Sequence, residues 1–144
     1  MRLDEQAARA RLAGHDHGVL CTLHAERGVD AVPVVYAVVG DRLGIPIDTV
    51  KAKSSVRLQR VRNLEADNRA TLLIEAWDRD DWSRLWWVRT ELRWVSDPAE
   101  PEQTDLATAL RDRYPQYSDS PFADVLVFEI VGSSGWAASE SAAG

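Results

Sequence analysis

Residues 17–48, "HGVLCTLHAERGVDAVPVVYAVVGDRLGIPID", constrain the fold most, because three β-rich runs are joined by two short turn signals. "HGVLCTLHA" (17–25) alternates apolar and polar residues. "ERG" (26–28) then turns the chain, and "VDAVPVVYAVV" (29–39) returns as a second strand. "GD" (40–41) is a tight-turn signal before a third, short strand at 42–48. Hairpin-linked neighbours are antiparallel, so this stretch commits the chain to a meander. The second strand is apolar on both alternations, which predicts that both of its faces are covered. Pro33 cannot donate a ladder hydrogen bond and predicts an edge or a bulge.

The flanking sequence completes an α+β pattern. "DEQAARARLA" (4–13) predicts a short helix with Asp4 as N-cap and Gly14 as stop. A second helix is expected from about Ser55 to Glu65, where Leu58, Val61 and Leu64 recur on one side. Strands are expected at 69–77, 84–95, 124–132 and 135–139, and a third helix at 103–114. The loops 78–82 and 115–121 are polar, and the tail "ESAAG" is expected to fray. No internal repeat is present. Meandering strands with interspersed helices point to a small antiparallel barrel rather than a doubly wound sheet.

At 144 residues the chain is read as one domain, 1–144, with 45% hydrophobic and 28% charged residues, as in an ordinary soluble protein. No apolar run reaches the roughly 20 residues that span a bilayer, and the charged start does not resemble a secretory signal. A cytoplasmic protein without a membrane partner is expected. The single cysteine, Cys21, sits in an alternating run and reads as a buried thiol. A sequence pI near 5.0 argues against nucleic acid as a partner. Six tryptophans exceed what a small monomer core needs, so a dimer interface or a planar ligand becomes plausible. Strand alternation puts Trp86 and Trp94 on one face and Trp87 on the other.

Against this acidic background, "KAKSSVRLQRVR" (51–62) holds five basic residues and no acidic one. Outside it, 12 basic residues stand against 23 acidic ones, a balance of −11. On a helix at 100° per residue, Lys53, Arg57 and Arg60 fall within about 60° of each other. Ser54 or Ser55 is the N-cap candidate. Charged donors, hydroxyls and free backbone amides converging at a helix start are what a phosphate needs. A solvated helix face paired with surface carboxylates explains the same spacing, and the two readings stand side by side.

Other chemistries find little support. The eight glycines are scattered, with no dinucleotide fingerprint and no phosphate-loop motif. His15 and His17 in "HDH", with His24, have no fourth ligand at a matching spacing and read as surface or turn residues, so no metal is expected. No serine occupies a nucleophile-elbow context.

Four stretches together resemble a known family: "DAVPVVYAV" (30–38), "IPIDTVKAKSSVRLQRVRNLEADNRATLLIE" (45–75), "DDWSRLWWVR" (80–89) and "GWAAS" (135–139). They resemble the pyridoxamine 5'-phosphate oxidase-like superfamily, in particular its flavin/deazaflavin oxidoreductase branch of actinobacteria, whose small members are probable coenzyme F420-dependent enzymes. The resemblance implies a split β-barrel, FMN-binding-like, with six or so antiparallel strands and two to three helices. It also implies a homodimer with cofactor sites between the subunits. By that resemblance Pro33, Val34 and Tyr36 would contact the cofactor ring, and Lys51, Lys53, Ser54, Ser55 and Arg57 would take its phosphate. The serine pair departs from the more basic or threonine-containing sequence usual there, though hydroxyls also donate to phosphate. Trp77, Trp82 and Trp136 are candidates for flanking the ring or meeting the partner subunit. Tyr36 and Arg89 are the candidates for proton donor and for stabilising developing charge. The implied activity is hydride transfer from reduced coenzyme F420 to a conjugated small molecule, with loops 78–83 and 115–122 choosing the substrate. An FMN-binding flavoprotein and a non-enzymatic flavin or deazaflavin carrier are the alternatives.

Overall fold

The computed structural model describes residues 1–48, 59–119 and 122–139. The elements run β1 (Arg2–Leu3), α1 (Glu5–Gly14), β2 (His17–His24), β3 (Gly28–Val35), β4 (Ala37–Val39) and β5 (Arg42–Asp48). They continue with α2 (Gln59–Ala66), β6 (Arg69–Ala76), β7 (Trp86–Trp94), α3 (Glu100–Arg113), α4 (Gln116–Asp119) and β8 (Phe122–Ala137). The strands form one antiparallel sheet in the order β3-β2-β6-β7-β8-β5-β4, with β1 added to β8. β3, at one end of this order, comes back into contact with β5, next to the other end, without pairing to it, so the sheet curls into a barrel that stays split on one side.

Local chemistry explains the boundaries. The Asp4 carboxylate accepts a hydrogen bond from the Ala7 amide at 2.7 Å and starts α1. Gly28, with φ of 89°, supplies the left-handed conformation that ends the β2–β3 turn. Pro101 occupies the first turn of α3, where a missing amide proton costs nothing. For this reason α3 starts at Glu100, ahead of the expected 103.

Alternation then fills the barrel. Leu20, Leu43, Ile45, Leu72, Ile74, Val88 and Phe128 point inward and are essentially inaccessible to solvent. From α1, Ala8 and Leu12 join the same core, as do Val61 and Leu64 from α2. Trp86 and Trp94 pack against it from β7. A second cluster seats Leu106 and Leu110 of α3 on Ala37, Val125 and Val127.

Several expectations need correction. The second strand breaks at Tyr36 into β3 and β4. The two closing strands are one 16-residue strand, whose register slips opposite Glu91 and Leu92 and so absorbs Val131 as a bulge. A short α4 stands within the expected loop after α3, and β1 escaped notice because two residues carry no period. Finally, β3 is not covered on both faces within the chain: Val29, Ala31 and Pro33 are exposed. Among the described residues no helix is long and apolar enough to cross a membrane.

Candidate functional site

Placing the outward residues of β3, β2, β6, β7 and β8 side by side by their pairing registers gives rows across the outer face of the barrel. One row reads Pro33, Val19, Leu73, Arg89 and Ser134, and the next reads Ala31, Cys21, Thr71, Glu91 and Gly132. Above them Val35 pairs with His17, and Glu75 with Trp87, which in turn pairs with Trp136. Below them Val29 pairs with Leu23, and Arg69 with Arg93. The inward residues of the same strands fill the core, so this is the second face of a sheet whose first face is already used. Leu23, Val29, Leu73, Val131 and Trp136 remain exposed on it. A groove of about 420 Å³ lies along its lower rows, between Cys21, Leu23, Val29, Glu91, Arg93 and Val131.

Tryptophans gather at the upper end. Trp77 and Trp82 lie 5.4 Å apart in the loop after β6, and both are more than half exposed. A 3₁₀ turn at Trp82–Arg84 fixes that loop: the Asp81 carboxylate accepts from the Ser83 amide at 3.1 Å and from its hydroxyl at 2.6 Å. The Ser139 hydroxyl donates to the Ser83 carbonyl at 2.7 Å, and the Ala138 amide to the Leu85 carbonyl at 2.9 Å, which fastens the loop to the end of β8. On the face itself the Arg89 guanidinium sits 5.4 Å from the centre of the Trp87 ring.

The predicted site residues therefore divide. Pro33, Arg89 and Trp136 share the outer face, with Trp77 and Trp82 in the loop beyond its end. Val34 and Tyr36 point the other way. A strand cannot offer residues 33, 34 and 36 to one ligand, since odd and even positions leave on opposite faces. Val34 is buried, and Tyr36 is fully buried with its hydroxyl donating to the Leu12 carbonyl at 2.6 Å. Burial pushes the Tyr36 phenol well above its usual range, with Arg113 opposing the shift. A hydroxyl so engaged is not presented to a ligand as a proton donor. Lys51, Lys53, Ser54, Ser55 and Arg57 lie outside the described residues.

The helix that continues the basic segment, α2, is anchored through one buried side chain. Asn63 of α2 is 4% exposed. Its amide nitrogen donates to Thr22 Oγ1 at 3.0 Å and to Asp30 Oδ2 at 2.8 Å, while its oxygen accepts from Gln59 Nε2 at 2.9 Å. The Arg27 guanidinium holds the same Asp30 carboxylate through two bonds of 3.0 and 2.9 Å. The Asn63 hydrogen bond, and then Arg27, keep the Asp30 carboxyl below its usual range. This network ties the helix to the β2–β3 hairpin. Sequence inspection missed it because a lone Asn on a helix carries no period; the polar inward position of Thr22 was the available hint.

The sequence matches no protein-family profile and no curated protein. Comparison of folds does find relatives. A FAD-binding protein from Mesorhizobium loti superposes with a TM-score of 0.69 at 14% identity, covering 94% of this chain and 93% of that one. A FMN-binding protein from Syntrophomonas wolfei gives 0.62 at 17% identity, with coverages of 90% and 80%. A heme storage protein from Vibrio cholerae gives 0.59 at 14% identity, with coverages of 90% and 89%. At such identities the likeness establishes architecture alone: the chain has the split-barrel fold of these flavin- and heme-binding proteins.

Proposed function

We propose that the chain is a coenzyme F420-dependent reductase that binds its deazaflavin between two copies of itself. The carrying observation is the uncovered outer face, where Leu73, Val131 and Trp136 are exposed beside Trp87 and Arg89. A broad sheet face on which exposed apolar residues stand among charged ones suits a second barrel, and the aromatic end suits a planar ring at the boundary. The chemistry of the described residues fits that ring: tryptophans offer flat apolar contact, and the Arg89 guanidinium offers a donor to a polar ring edge. Lys51, Lys53, Ser54, Ser55 and Arg57 would take the phosphodiester and the glutamate tail, by their sequence.

When bound, reduced deazaflavin supplies a hydride to an electron-poor double bond. The chain's own residues bind and orient. Pro33 of one copy and Trp136 of the other would confine the ring, and the loop with Trp77 and Trp82 would shield the substrate from water. Arg89, the exposed cation nearest the tryptophans on this face, would stabilise negative charge developing on the substrate. With Tyr36 engaged in the core, the proton would come from solvent. FMN is the second reading, favoured by the FMN-binding protein among the structural relatives.

A tryptophan-fluorescence titration with coenzyme F420 and, separately, FMN tests the proposal. Micromolar quenching by F420, weakened about tenfold in Lys51→Ala and Lys53→Ala, is expected, since a charge-assisted hydrogen bond contributes roughly 1.5–3 kcal/mol. Preference for FMN selects the second reading, and indifference to both ligands overturns both.

A further inference from the structure

We propose that His15, Asp16 and His17 form a site for a divalent transition-metal ion at the upper rim of the sheet. Residues two apart on extended chain leave on the same side. The two imidazoles accordingly stack, with centroids 5.3 Å apart and planes 27° from parallel. Asp16 lies between them, and its carboxylate turns to His17 Nδ1 at 2.6 Å. One ligand atom from each of the three side chains falls within 4.8 Å of the other two, and no other His, Cys, Asp or Glu group among the described residues meets that condition.

The surroundings hold the backbone while leaving the ligands free to adjust. Trp86 meets the His15 ring edge-on at 5.3 Å. The Asp16 carbonyl accepts from the Tyr114 hydroxyl, which also bonds the Tyr36 carbonyl at 2.8 Å. The side chains of His17 and Asp16 are 69% and 67% exposed, so they can turn. Donors around a tetrahedral zinc at about 2.0–2.1 Å stand about 3.3 Å apart. Ligand atoms up to 4.8 Å apart must therefore close by about 1.5 Å, while the Asp16–His17 pair at 2.6 Å must open by less than about 1 Å, movements on the order of a single χ adjustment. Two imidazoles and one carboxylate select zinc, cobalt, nickel or copper over magnesium and calcium. A fourth position is left for water. Glu75 adds negative charge near His15, and Arg113 opposes it. His24 is a different case: its Nδ1 accepts from the Glu26 and Arg27 amides at 3.0 Å each, at the other end of β2.

The test uses untagged, chelator-treated full chain titrated with Co²⁺, followed by its visible absorption, and with Zn²⁺ by calorimetry. One ion per chain is expected. His15→Ala and His17→Ala should each weaken binding by at least about tenfold, and Asp16→Asn should weaken it less. His24→Ala should bind as the parent does. The exposed His17 ring makes His17→Ala safe for folding, checked by circular dichroism, so its result stands if His15→Ala loses its packing on Trp86. Absence of saturable binding below about 1 mM, a His17→Ala variant that binds normally, or loss of binding in His24→Ala would each overturn the proposal.

Discussion

Replacing Asn63 by alanine removes the polar link between α2 and the barrel, and the structure sets the size of the effect. Three hydrogen bonds are lost: one to the Asp30 carboxylate, one to the buried Thr22 hydroxyl and one from Gln59. A neutral bond contributes about 1 kcal/mol net and one to a charged group about 1.5–3 kcal/mol. Asp30 keeps its two bonds to Arg27 and a partly open side chain, so its share falls at the lower end. Thr22, 2% exposed, loses the bond from the Asn63 amide without gaining water. The expected loss is about 2–4 kcal/mol, or roughly 5–15 °C in Tm for a chain of this size. Urea and thermal unfolding followed by circular dichroism measure it, with Gln59→Ala as a control expected to lose less than about 1 kcal/mol. Since α2 continues the basic segment, Asn63→Ala should also weaken the anionic ligand. A stability change under about 0.5 kcal/mol would refute the view that this network seats the helix.

Two further predictions concern the scaffold. A Cβ at Gly135 would lie 2.4 Å from the Trp87 carbonyl oxygen and 3.0 Å from Val88 Cγ2, so Gly135→Ala must push β7 and β8 apart. A loss of at least about 2 kcal/mol is expected in denaturant unfolding. The Asp67 carboxyl is held down at about 2, first by the Arg69 side chain and then by the Arg69 amide. Its folded value lies below the unfolded value near 3.9, so its contribution is present above pH of about 4 and fades as pH falls towards 2. Urea midpoints of parent and Asp67→Asn should therefore differ near neutral pH and converge at about pH 2.

Much of the fold was legible where a period repeats. The β-rich runs at 17–25 and 69–77 became β2 and β6, and the Asp4 cap marked α1. Features without a period escaped, including the two-residue β1, the break at Tyr36 and the bulge at Val131. The candidate site was legible in part for the same reason. Pro33, Arg89 and Trp136 meet on one face only after five strands are put in register, and no single segment carries that information. Taking Val34 and Tyr36 together with Pro33 overlooked the two-residue alternation that sends them into the core. The histidines of "HDH" read as surface residues because a spacing of two lacked a fourth ligand; their stacking and the Asp16 contact emerge only in three dimensions.

Leu73 sits near the middle of the outer face, between Val19 and Arg89 in its row, and is 38% exposed. Arginine there leaves the core untouched but places a charge where a second copy would pack. Sedimentation velocity combined with F420 titration of parent and Leu73→Arg decides whether the cofactor site lies between two copies. A dimeric parent, with a folded monomeric variant that binds F420 about tenfold or more weakly, is the predicted result. A monomeric parent, or a monomeric variant that binds F420 as tightly as the parent, would contradict a cofactor site built between two copies of the barrel.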